Sequence, residues 1–298
     1  MKQVVVLSGK GGTGKTSLAA ALAHSAYREY ELVLADADVD AANLEILLQP
    51  ELIQEYPFTG AFKAAIDPAA CTGCGICSRV CRFGAIEVAQ DCEGDVYRID
   101  RISCEGCNSC LHQCPENAIT SRRQVAGRRF RSESVYGPLF HAEMKAGEEN
   151  SGKLVTEVKN EALERAAELD EGLLIVDGPP GIGCPVIAAC AGADMAVVST
   201  EPGVSAIHDL NRILDTVRHF GVPSAVCINR SDINEEKSKE IEVFCRKESI
   251  PLLGRIPYDP AVTRAMAKGL PVNAFDPTCP ASEAIEKIYG SLRNDLIS

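Results

Sequence analysis

The sequence predicts an α/β protein in which a mostly parallel sheet flanked by helices is interrupted by a small α+β insertion. Three observations carry that prediction. Short apolar, β-branched runs alternate with helix-forming segments along most of the 298 residues, and such alternation places parallel strands between helices on both faces. Glycine-rich or acidic turns follow three of the strands, at 9–16, 36–40 and 177–183, where open α/β sheets bind ligands. Between the last two of these turns, eight cysteines fall within residues 71–114 and repeat one spacing.

The elements follow in order. Residues 4–7 read as a buried strand, the alanine-rich 17–26 as a helix and 32–35 as the next strand. The insertion takes residues 61–120, leaving 1–60 and 121–298 as a discontinuous main domain. Residues 124–130 and 138–144 predict a hairpin returning to that domain, and 147–153 a polar loop. Strands follow at 173–176, 196–199, 224–228 and 252–256, with helices at 206–220, 235–247 and 281–296. In the last helix Ile285, Ile288, Leu292 and Leu296 form an apolar stripe. The opposite face mixes Glu286, Lys287, Arg293 and Asp295, so a core-facing helix is expected rather than a basic membrane-binding one.

Composition narrows the function. A formal charge of -12 disfavours nonspecific nucleic-acid binding, which needs clustered lysine and arginine against phosphates. No apolar run approaches the roughly 20 residues of a membrane-spanning helix, and the chain opens on a soluble strand rather than a signal peptide. A cytoplasmic location with reduced thiols is therefore expected, and no membrane partner. One basic stretch stands out: Arg122, Arg123, Arg128, Arg129 and Arg131. It reads first as the solvated face of the hairpin, and second as a docking surface for an acidic partner.

Cys71, Cys74, Cys77 and Cys81 follow the pattern C-x2-C-x2-C-x3-C, and Cys104, Cys107, Cys110 and Cys114 repeat it. This is the bacterial ferredoxin signature, in which the fourth cysteine of each run ligates the other 4Fe-4S cluster. One cluster would take Cys71, Cys74, Cys77 and Cys114; the other would take Cys104, Cys107, Cys110 and Cys81. Zinc sites favour paired C-x2-C units instead, and disulfides need an oxidising compartment. Arg82 stands where the second run has Pro115.

Gly9, Gly14, Lys15 and Thr16 match a Walker A phosphate loop in its strand-loop-helix context. Gly11, Gly12, Thr13, Gly14 and Ser17 complete the expected nucleotide contacts. Lys15 would reach the β- and γ-phosphates and the Thr16 hydroxyl would bind magnesium. Asp177, ending the 173–176 strand, fits a magnesium-holding Walker B carboxylate, and the glycine-proline run after it fits a γ-phosphate sensor.

A second lysine, Lys10, lies inside the loop. With it the sequence resembles the deviant Walker A ATPases of the MinD/ParA/Mrp class over residues 1–60 and 121–298. That resemblance implies an ATP-dependent homodimer in which Lys10 reaches the partner's nucleotide. It implies that Asp38 positions the attacking water and helps hold magnesium, directly or through water. It also implies that Asn229, Arg230, Pro257 and Tyr258 surround the adenine. Asp36 and Asp40 are left between capping and magnesium roles. Of the six other cysteines, at 92, 184, 190, 227, 245 and 279, most read as small buried residues. Cys184 resembles a bridging-cluster cysteine of the nitrogenase iron protein, with Cys190 as the nearest second ligand.

The function expected is an ATPase carrying two 4Fe-4S clusters, its dimerisation coupled to electron transfer or to cluster handling for a partner. A protein similar to nitrogenase-cofactor carriers is one candidate partner. The alternatives are a MinD/ParA-like positioning ATPase with the insertion as redox sensor, and a cluster carrier similar to Mrp.

Overall fold

The computed structural model describes residues 1–89, 96–148, 151–169 and 172–297, with side chains to 294. Its elements begin with β1 (Lys2–Ser8), α1 (Lys15–Ala26), β2 (Glu31–Asp36), α2 (Leu44–Leu48) and β3 (Glu51–Ile66). There follow α3 (Ile76–Val80), β4 (Ile86–Val88), β5 (Tyr97–Ile99), α4 (Ser109–Gln113), β6 (Ile119–Ser134) and β7 (Gly137–Met144). Next come α5 (Ser151–Ala167), β8 (Gly172–Pro180), α6 (Cys184–Cys190), β9 (Met195–Thr200), α7 (Ala206–His219) and β10 (Ser224–Ile228). The chain ends with α8 (Glu235–Lys247), β11 (Leu252–Arg255), α9 (Pro260–Ala267), α10 (Val272–Phe275) and α11 (Pro280–Ile297).

Two compact units result: Met1–Tyr56, Arg129–Glu143 and Ser151–Ser298 in the first, Pro57–Arg128 and Met144–Asn150 in the second. The second is wider than the 61–120 read from the cysteine runs. The reason is β3 and β6, 16 residues each, whose irregular mixture of apolar and charged residues gave no clean period of two.

In the sheet the strand order is β11-β10-β9-β1-β8-β2-β7-β6-β3. From β11 through β7 every neighbouring pair is parallel. The two-residue connection between β6 and β7 joins antiparallel neighbours, since parallel ones need a long crossover. In β1, Val4 and Val6 pack with α1 and α11 in one apolar cluster; Val5 and Leu7 are equally buried but lie outside that cluster. Leu32 and Leu34 alternate in the same way with Val33 and Ala35. A strand buried on both faces loses the polar alternation of a half-exposed one, which is why these runs are continuously apolar.

Helix α5 corrects the polar loop expected to reach residue 153: Leu154, Val155, Val158, Ala162 and Ala166 are buried at helical spacing. In α11, Ile285, Ile288 and Leu292 are all buried, as a core-facing stripe requires; Leu296 and Asp295 lie outside the described side chains. Among the described residues, no helix is long and apolar enough to cross a membrane.

One buried polar group in this unit makes stability depend on pH. His141 on β7 stacks on Phe130, with Ser132 Oγ 2.9 Å from its Nε2 and Glu45 Oε2 3.2 Å from its Nδ1. Burial pushes the imidazole down to about 4; Glu45 does not reverse this because its carboxylate is half in water. Below the ordinary histidine range the unfolded chain binds a proton that the native state refuses, so stability is full above pH ~6.5 and is lost as pH falls toward ~4. His141→Gln is expected to flatten the dependence by up to about 1.4 kcal/mol per pH unit, read by urea unfolding at pH 7 and 5.

Within the second unit the two cysteine runs form matched pieces. The N-caps of α3 and α4, Gly75 and Asn108, are both left-handed, with φ 70 and 61. Their C-caps, Cys81 and Cys114, have φ/ψ of -75/109 and -76/114. Arg82 in place of a proline therefore leaves the backbone at Cys81 the same as at Cys114. The antiparallel pair β4-β5, with Ile86 opposite Ile99, lies beside a core of Ala64, Cys77, Ala85, Ile86, Cys104, Cys110 and Ile119.

Candidate nucleotide site and cysteine-lined cavities

The loop between β1 and α1 folds around its glycines. Gly14 has φ 83, and a Cβ there would meet the Asn229 amide nitrogen at 2.3 Å; only glycine fits both the turn and the close approach. Lys15 starts α1 and is 5% exposed. Thr13 is buried, and its carbonyl accepts from Ser199 Oγ at 3.0 Å and from Asn229 Nδ2 at 2.9 Å. Ser199 on β9 and Asn229, just past β10, thus brace the loop.

Parallel pairing of β2 with β8 sets Asp36 opposite Asp177, so register alone brings two carboxylates to one crevice. Asp36 is fully buried and accepts the backbone N–H groups of Asp38 at 3.0 Å, Asn43 at 3.0 Å and Leu44 at 2.9 Å. It therefore clasps the loop that carries Asp38. Burial pushes Asp36 up to about 7 against the pull of these donors. Burial, and next the neighbouring Asp36, push Asp177 well above the carboxylate range. The Thr16 hydroxyl and Lys15 favour its charged form, yet neither Asp177 oxygen completes a hydrogen bond. Asp38 is partly exposed and raised by burial, with Lys15 pulling it down. Asp40 is exposed, and its charge adds to the upward push on Asp38.

A buried carboxylate with no donor is costly unless a cation meets it. Beside Lys15 and the Thr16 hydroxyl, the orphaned Asp177 suits magnesium held with a nucleotide's phosphates, so the residues present fit both ligands.

A cleft opens beside the loop, lined by Gly14, Ser17, Asn229, Arg230, Pro257 and Tyr258 among others. The sequence expectation brought these residues to the adenine, and the fold brings them together. Asn229 also has partners in the fold: Nδ2 donates to Thr13 and Oδ1 accepts from the Arg230 N–H, one bond at each of two groups that can make two. Its side chain braces the loop, and Pro257 and the half-exposed Tyr258 share the lining with it. The Ser17 hydroxyl meets Met266 Sδ at 3.7 Å.

Lys10 does not hang free. Its Nζ lies 2.8 Å from Glu201 Oε1, and Arg230 Nη1 lies 3.2 Å from Glu201 Oε2. Sequence reading passed over Glu201, although it directly follows β9, where the carboxyl-end rule that flagged Asp36 applies equally.

In the second unit the thiols sort into two sets. One cavity is lined by Cys71, Cys74, Cys77 and Cys114 with Ile66, Ile76, Tyr97 and Ile119. Another is lined by Cys81, Cys104, Cys107 and Cys110 with Ala64, Phe83, Ile86 and Ile99. Among the described residues, no group of three ligating side chains closes on a single metal ion. Each hollow instead gathers four thiols among apolar side chains.

Outside these sets, Cys184 is exposed, whereas Cys190, Cys227, Cys245 and Cys279 are buried. Burial pushes the Cys190 thiol up to about 11, and a thiol sealed inside the core offers no second ligand for a symmetric bridge with Cys184. Cys92 lies outside the described residues.

The fold and the phosphate loop define a P-loop nucleotide-binding protein. The chain belongs to the family described as the CobQ/CobB/MinD/ParA nucleotide binding domain, matched over residues 4–272. A protein of Methanocaldococcus jannaschii described only as uncharacterized is 33% identical over 294 residues, covering 98% of this chain and 96% of that one. A putative septum site-determining protein MinD of Chlorella vulgaris is 26% identical over 275 residues, 90% of this chain and 76% of that one. Among solved structures, the septum site-determining protein MinD complexed with Mg-ADP from Pyrococcus horikoshii superposes with a TM-score of 0.59 at 18% identity, covering 98% of this chain and 95% of that one. This likeness shows the shared α/β fold. The chain is a MinD/ParA-like ATPase.

Proposed function

We propose that this ATPase carries two 4Fe-4S clusters and couples nucleotide-driven dimerisation to electron transfer, or to cluster handling, for a partner protein. One observation carries the reading: the eight repeated thiols line two apolar cavities in crossed sets, three from one run and the fourth from the other. The crossing is what the ferredoxin spacing calls for. When bound, such a cluster supplies reversible one-electron chemistry. The chain's part is to hold three thiols ahead of or within each short helix and the fourth at the C-cap of the other.

At the nucleotide, Lys15 and Thr16 take the phosphates and magnesium, Asp177 holds magnesium, and Asp38 orients the water that converts ATP to ADP and phosphate. The clasp at Asp36 keeps the Asp38 loop ordered before ATP arrives. Lys10 exchanges Glu201 for the partner's nucleotide on dimerisation, so closure of the dimer costs one ion pair and forms a phosphate contact. The client is a redox or cluster-accepting protein, and one similar to nitrogenase-cofactor carriers fits the role.

A positioning ATPase with a redox sensor is the second reading, favoured by the MinD name of a relative that covers most of the chain. Against lipid binding, the stripe of α11 is turned into the core. Hydrolysis rate and ATP-dependent dimer fraction are to be compared anaerobically with clusters oxidised, reduced and removed. The coupling reading expects the dimer fraction and the rate to change at least threefold between these states. Equal values in all three sink it, and ATP-dependent cosedimentation with DNA or vesicles would favour the second reading.

A further inference from the structure

The two cysteine-lined cavities share one backbone repeat but differ in electrostatics. The difference is Lys63, on β3 within the second unit. It is 6% exposed, and its Nζ donates to the Cys104 carbonyl oxygen at 2.7 Å. Cys104 lines the cavity that also holds Cys81, Cys107 and Cys110. Among the described residues of the second unit, Lys63 is the one buried charged side chain.

Other charges near that cavity are exposed or half-exposed. Glu105 on its lining is exposed. Arg82 is exposed too, and it acts with the Ser109 hydroxyl, the larger influence, to draw the Cys107 thiol down. Asp100 is half-exposed and accepts hydrogen bonds from Ile102 and Ser103. At the other cavity, Glu116 on the lining is exposed, and Arg79 is an exposed cation 3.5 Å from the Cys74 carbonyl. Water and salt screen such charges, whereas a buried ammonium is screened far less. Cluster potentials follow local charge and hydrogen bonding. A fixed cation beside one site favours the form that carries one more electron.

We propose that Lys63 makes the site of Cys81, Cys104, Cys107 and Cys110 the higher-potential one, so that this site holds the electron when one is available per chain. The site of Cys71, Cys74, Cys77 and Cys114 is then the low-potential partner. Exchange between them moves one electron, oxidising the second site as the first is reduced, with no bond made or broken. The inference rests on the two-cluster reading above.

The test is an anaerobic redox titration of the full chain followed by electron paramagnetic resonance, with dithionite as reductant. Wild type should give two one-electron waves, and Cys110→Ser should remove the upper one. Lys63→Met should shift the upper wave down by at least tenfold in its reduction equilibrium, ~59 mV for one electron, leaving the lower wave in place. Lys63→Arg, which keeps the charge, should leave both. If Lys63→Met fails to load iron, Lys63→Gln, which keeps a donor for Cys104 without the charge, is read instead. A single wild-type wave, loss of the lower wave in Cys110→Ser, or an unmoved upper wave in a charge-removing variant overturns the assignment to Lys63. A wild-type chain that binds no iron overturns the two-cluster reading itself.

Discussion

Lys15→Ala is expected to reduce ATP hydrolysis by about a thousandfold, close to 4 kcal/mol of transition-state stabilisation. Lys15 is the buried cation of a crevice otherwise populated by Asp36, Asp38 and Asp177, and it opposes the upward shift at both Asp38 and Asp177. On the proposed reading its removal deletes the charge that meets the β- and γ-phosphates and leaves Asp38 and Asp177 unopposed beside them. Binding of a fluorescent ATP analogue should weaken along with turnover, because ground-state phosphates meet the same charge. Thermal unfolding separates this from misfolding: a variant that melts near the wild type yet releases no phosphate carries the expected defect. Turnover within fivefold of wild type would remove Lys15 from the site.

The second large effect concerns iron. With two four-iron sites the wild-type chain should hold about eight irons, and any single cysteine-to-serine change at a ligand should leave about four. Pairs of changes distinguish how the thiols are shared. Because Cys81 lines the cavity of Cys110, Cys81→Ser combined with Cys110→Ser should still leave about four irons, the two changes striking one site. Because Cys77 lines the other cavity, Cys81→Ser combined with Cys77→Ser should leave almost none. If each run held its own cluster, the two double variants would exchange these outcomes. Iron and acid-labile sulfide analysis after anaerobic reconstitution reads the result directly.

Much of the fold was legible because its cues are local. β1, β2, β8, β9 and β10 are apolar runs that stand out from polar surroundings, and the phosphate loop is eight contiguous residues whose glycines answer to backbone geometry. The acidic and glycine-rich turns were found by the same strand-end rule. What escaped lay in polar or irregular surroundings. Helix α5 starts in a polar stretch, and its buried face is spread thinly over Leu154, Val158 and Ala162. The long β3 and β6 alternate irregularly, so the second unit was read too narrow.

The sequence by itself determined the family of the protein and marked its candidate ligand residues, since Walker A and both cysteine runs are spacings along one stretch of chain. Only the tertiary structure decided what those residues meet. Asp36 faces Asp177 through strand register, and Asn229 braces Thr13 from 216 residues away. Glu201 restrains Lys10 from 191 residues away, and Lys63 puts a buried cation at one cysteine set and not the other. The physical reason is common to all four. Spacing along the chain specifies local geometry, but a charge's partner and its screening depend on which distant segments the sheet and the packed core bring beside it.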